Sequence, residues 1–82
     1  MERQEIAAQV QDIFRDHLED DSIVLADETT ANDVEGWDSL MHLQLIVAIE
    51  NHFKIKFTSK EILQWKNVGE MVSSITRRLE HA

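Results

Sequence analysis

Ile6, Val10, Ile13, Phe14 and Leu18 recur at the three, four and seven spacing of one helical face, and charged residues take the rest of that wheel. A chain that opens on such a stripe must cover it with other helices, because no pair of alternating segments offers a sheet instead. The chain has 82 residues and no cysteine, so neither a disulfide framework nor a thiolate metal site staples its small core. Apolar packing has to hold it. Leu, Ile, Val and Phe number 24, above the level of roughly 20 percent below which charged chains stay unfolded.

The first helix is expected over residues 3–18. Over residues 19–38 the periodicity fades, eight acids gather, and turn-forming pieces appear at Asp20-Asp21-Ser22, Ala31-Asn32-Asp33 and Glu35-Gly36. A loop of about 20 residues is uncommon in a compact domain and usually serves function. Ile23, Val24, Leu25 and Val34 are expected to pin it to the core. Asp38 is a good N-cap for a second helix over residues 39–53, which lacks Gly and Pro. Thr58-Ser59-Lys60-Glu61 has the form of a capping box and opens a short helix to about Gln64. Asn67-Val68-Gly69-Glu70 caps a last helix with Val68, Met71, Val72, Ile75 and Leu79 as its stripe. Lys54-Ile55-Lys56-Phe57 alternates but reads as a connector. The expected fold is all-α, a small four-helix bundle of three longer helices and one short one, forming one domain over residues 1–82. Trp65 is expected as a core lid, and Leu79-Glu80-His81-Ala82 has the form of a vector junction.

The net charge is −8, which argues against a nucleic-acid partner, because phosphate binding relies on Lys and Arg. Residues 1–38 hold twelve acids against two bases, and residues 39–82 hold four acids against six bases. Ser39 stands at that boundary. Glu2, Arg3 and Glu5 interrupt the N-terminal segment, so neither a secretory signal nor a membrane anchor is expected there. The expectation is a cytoplasmic monomer with no membrane span.

Gly36-Trp37-Asp38-Ser39-Leu40 followed by a helix resembles the acyl carrier protein family, whose attachment signature is the Asp-Ser-Leu triplet. Three residues alone are weak evidence. The acidic chain, the long preceding loop, Phe53 closing the helix, the short third helix and Val68-Gly69 extend the likeness over nearly the whole chain. The resemblance implies 4'-phosphopantetheine carried covalently on Ser39, placed there from coenzyme A by a phosphopantetheinyl transferase that Asp38 and Leu40 help to engage. The arm's thiol would then hold an acyl group for loading, condensing and transferring enzymes. An aminoacyl or peptidyl carrier, of nonribosomal peptide or D-alanyl transfer, would show nearly the same pattern. Elementary chemistry agrees with the position, since a helix N-terminus favours a phosphodiester.

On the second helix Leu45, Ile46, Ile49 and Phe53 cluster on one side, with His42 among them. Leu40, Leu43 and Val47 form a second stripe well over 100° away, on the face that carries Gln44, Ala48 and Asn51. That stripe either packs under the preceding loop or stands exposed; by the family's use of this helix, Leu43, Gln44, Val47, Ala48 and Asn51 would be a docking surface. Carriers of bulk fatty acid synthesis usually line this helix with carboxylates, whereas here only Glu50 remains. A specialised pathway, such as polyketide-like chemistry, is the expectation.

Three other readings compete. Catalysis by Ser39 and His42 lacks the glycines of a nucleophile elbow, since Trp37 and Met41 stand there, and no third residue orients His42. An EF-hand loop from Asp27 puts Asn32 where glycine is required, and anchoring on Gly36 puts Ala31 first and His42 last, so no metal site is expected. An unmodified helical interaction module shares the fold and differs only in lacking the arm.

Overall fold

The computed structural model describes residues 2–80, and every helix expected from the sequence is present: α1 (Arg3–Leu18), α2 (Ser39–Phe53), α3 (Ser59–Gln64) and α4 (Val68–Glu80). No strand forms among the described residues. His81 and Ala82, half of the expected vector junction, lie outside them.

The helix boundaries follow from cap chemistry. Asp38 is extended, and its Oδ1 accepts the Met41 amide at 2.8 Å. Thr58 and Glu61 cap each other: the Glu61 amide donates to Thr58 Oγ1 at 3.2 Å and the Thr58 amide to Glu61 Oε1 at 3.1 Å. At α4 the Glu70 amide donates to Asn67 Oδ1 at 2.9 Å, while the Glu70 carboxylate reaches back to the Lys66 amide at 2.7 Å. That box closes one residue earlier than the usual form. Both α1 and α2 end on a left-handed residue, Glu19 (φ 53°) and Lys54 (φ 58°), where glycine is commoner.

Helix α1 packs against α2 and α4. Ile6, Val10 and Phe14 of α1, Leu45 and Ile49 of α2, and Met71, Val72 and Ile75 of α4 are fully buried, each worth roughly 1.5–3 kcal/mol of transfer free energy. Ile13, Leu18 and Leu79 are half-buried at its margins. Trp65 closes one side as a lid, edge-on to Phe57 at 4.9 Å, with its indole N–H donating to Ser74 Oγ at 2.7 Å. The alternation of residues 54–57 has a plain cause. Ile55 is buried and Phe57 half-buried, while Lys54 and Lys56 face solvent.

The long loop is tied down along its length. Its stretch 31–33 winds into a 3₁₀ turn, Ala31–Asp33, capped by Thr30 and Asp33. Ile23 and Val34 are buried and Leu25 half-buried, but Val24 is 75% exposed and pins nothing, contrary to expectation. The segment lies along α1, with Arg15 Nε donating to the Ile23 carbonyl at 2.7 Å and the Leu25 amide donating to Gln11 Oε1 at 2.9 Å. Extended chain turns alternate side chains outward, and Val24 takes the outward position. Further on, the carbonyls of Thr29 and Asp27 accept the amides of Val68 (2.9 Å) and Gly69 (2.8 Å), satisfying first-turn donors of α4. Arg3 fastens the same point by donating to the Asp27 carboxylate at 3.2 Å and the Gly69 carbonyl at 3.1 Å.

Candidate functional site

The loop arrives at α2 through a fixed corner. Gly36 has φ 88°, a conformation that side chains resist, and a Cβ there would stand 3.3 Å from the Leu18 side chain. Trp37 follows and turns its ring into the core, edge-on to Phe14 with centroids 4.8 Å apart. Its indole N–H donates to Nδ1 of His42 at 3.0 Å, and the two rings stack at 5.8 Å. The His42 amide donates to the Asp38 carbonyl at 2.8 Å. Both sides of residues 38–42 are therefore held.

Ser39 stands exposed on this anchored corner at the first helical position. The Asp38 side chain and carbonyl take the amides of Met41 and His42, whereas the amides of Ser39 and Leu40 find no acceptor among the described residues. Two open donors at a helix N-terminus favour an anionic group on the neighbouring hydroxyl. Beside Ser39 runs a groove of about 570 Å³, lined by Trp37, His42 and Leu43 from α2 and the loop before it, and by Ile62, Trp65 and Met71 from α3, its end and α4. Apolar atoms dominate that wall. Burial pushes the His42 imidazole below its ordinary value. An indole N–H can only donate, so Nδ1 must accept, and the ring is the neutral tautomer with its proton on Nε2. A His42 committed in this way is not a base for Ser39.

The second stripe of α2 is not covered by the loop. Leu40, Leu43 and Val47 are 67%, 60% and 54% exposed, Gln44 and Asn51 are exposed, and Ala48 is half-buried. The opposite side behaves as expected at Leu45, Ile46, Ile49 and Phe53, all buried, but His42 is only half-buried, because the groove opens at its edge. Two features escape sequence reasoning. Leu63 is exposed beside the groove, on a helix too short to show a stripe, and the Trp37–His42 bond joins a residue outside the helix to one on its wheel.

A family profile described as the phosphopantetheine attachment site matches residues 8–75. The chain belongs to that family. Its fold is that of a holo acyl carrier protein from Geobacter metallireducens, solved in solution, with a TM-score of 0.88 at 45% identity over 93% of this chain and 87% of that one. It is also 35% identical over 65 residues to a Schizosaccharomyces pombe protein designated a mitochondrial acyl carrier protein, covering 79% of this chain and 57% of that protein. The chain thus spans little more than half the length of that curated relative.

The prosthetic group of this phosphopantetheine family is 4'-phosphopantetheine, and the corner fits it. An exposed primary hydroxyl offers an ester oxygen, the open amides favour the phosphate, and the groove offers an apolar bed beside it. When bound, the group supplies a thiol for thioester formation. No helix among the described residues is long and apolar enough to cross a membrane.

Proposed function

We propose that the chain carries acyl groups as thioesters on 4'-phosphopantetheine joined to Ser39 Oγ, and presents them to enzymes that load, condense or transfer them. The observation that supports this most directly is an exposed Ser39 hydroxyl at the first position of α2, between open backbone amides and an apolar groove. Asp38 and Leu40, both exposed on either side of it, would meet the transferase that modifies Ser39. Leu43 and Val47 would dock partner enzymes, with Gln44, Ala48 and Asn51 as their uncharged surround. A net charge of −8 supports a soluble monomer, for which the cytoplasm is the proposed setting.

A specialised pathway of polyketide-like type is favoured over bulk fatty acid synthesis. The one carboxylate of α2, Glu50, is half-buried, and its Oε2 accepts the Phe57 amide at 2.9 Å. It is occupied with structure, so α2 has no free acid to offer a partner.

Unmodified protein incubated with coenzyme A and a broad-specificity transferase should gain one phosphopantetheine by intact mass, and Ser39→Ala should gain none. An unchanged wild-type mass with several active transferases overturns the assignment. Intact mass from the native host then distinguishes an acyl from an aminoacyl cargo.

A further inference from the structure

The neutral tautomer of His42 leaves one donor unaccounted for. Nδ1 is taken by the indole of Trp37, and Nε2 has no hydrogen-bond partner among the described residues. Among those residues no buried side-chain nitrogen or oxygen lacks a partner, so this half-buried ring does not have Nε2 sealed inside the protein. His42 lines the groove one helical turn after Ser39. The ring is also fixed, since the stack on Trp37 and the indole bond set its plane and its tautomer together. A pre-oriented neutral donor in a mostly apolar groove is worth more than the same donor in water, because fewer competing acceptors reach it.

We propose that Nε2–H of His42 is a specificity-determining donor that hydrogen bonds a carbonyl oxygen lying in the groove beside Ser39. The inference rests on the carrier reading above and adds what the groove selects. Two sources supply such an oxygen: the amide carbonyls of the arm, and the carbonyls of the cargo. Every acyl thioester carries one carbonyl and a 3-ketoacyl chain carries a second, so a cargo that brings an oxygen within reach of the donor would be held better than one that leaves it unpaired. Trp37 acts through His42 as a positioning residue.

The test uses the full chain labelled with ¹⁵N, in apo form, with the bare arm, and loaded with a saturated or a 3-ketoacyl chain of equal length; intact mass verifies each state. The His42 side-chain resonances should show the Nε2–H tautomer in the apo form. Exchange of that proton with water should then slow roughly 3- to 10-fold in at least one loaded state, the size of one neutral hydrogen bond. Slowing with the bare arm assigns the acceptor to the arm, and slowing only with a thioester or a 3-keto group assigns it to the cargo. His42→Gln, which can accept from Trp37 and donate from its amide, should keep the hydrolysis rate of the loaded thioester near wild type. His42→Phe should raise it several-fold. If the masses show full loading while exchange is unchanged in every state, the donor role is wrong and the carrier reading stands. If no state loads at Ser39, the carrier reading fails and takes this inference with it.

Discussion

Gly69 and Asp27 meet backbone to backbone: the Gly69 amide donates to the Asp27 carbonyl at 2.8 Å, and a Cβ on Gly69 would lie 3.0 Å from that same oxygen. The glycine is required by proximity, since its own conformation is helical. Gly69→Ala should push the loop off α4 at a cost of about 1–3 kcal/mol, as overpacking does elsewhere, despite the better helix propensity of alanine. Urea unfolding measures this. A neutral or stabilising result would mean that the loop yields freely.

The pH dependence of stability should carry the mark of His42. Its imidazole is depressed by burial below the ordinary value of about 6.5. Just below pH 6.5 the unfolded chain therefore binds a proton that the folded chain refuses. Stability present above pH 6.5 should fall as pH drops below it and level off once pH passes the folded value. Urea midpoints between pH 7.5 and 5.5 should show this slope, and His42→Phe should flatten it. Equal slopes in both proteins would assign the effect elsewhere.

Leu43 and Val47 are both more than half exposed, so Asp substitutions there should change stability by no more than about 0.5 kcal/mol and leave the melting temperature nearly unchanged. The same substitutions should strongly reduce turnover in a loading assay with the cognate enzyme. Burying an exposed Leu or Val is worth roughly 1.5–3 kcal/mol and is not screened by salt, whereas exposed ion pairs contribute about 0–1 kcal/mol and are. Added salt should thus weaken binding only modestly. Unaltered turnover would remove the stripe from recognition.

Thr58→Ala deletes the acceptor of the Glu61 amide at the start of α3. A loss of about 0.5–2 kcal/mol is expected in thermal unfolding, the usual cost of a lost N-cap. Because α3 carries Ile62 into the groove wall, amide exchange over residues 59–64 should quicken more than exchange in α1.

All four helices were legible because their signals are local. Caps at Asp38, Thr58 and Asn67 and stripes at helical spacing are written within a few residues of where they act. What was not legible depends on contacts between distant segments. Val24 reads as an anchor by composition and is exposed because Ile23 and Leu25 take the inward positions against α1. The groove draws on α2, α3 and α4 at once, and no wheel of one helix shows it. The same limit applied to His42. Its wheel position puts it with the core, and only the approach of Trp37 from the loop explains why an imidazole sits comfortably there.

Both tryptophans of the chain, Trp37 and Trp65, line that groove, and there is no tyrosine. All useful ultraviolet emission of the protein therefore originates beside Ser39. A group that slides into the groove changes the surroundings of the half-buried Trp65 directly and those of the buried Trp37 through its bond to His42, and one that swings out reverses both. Loading, sheltering and hand-over can thus be followed in real time on the unlabelled protein, with each indole resolved by replacing the other with Phe.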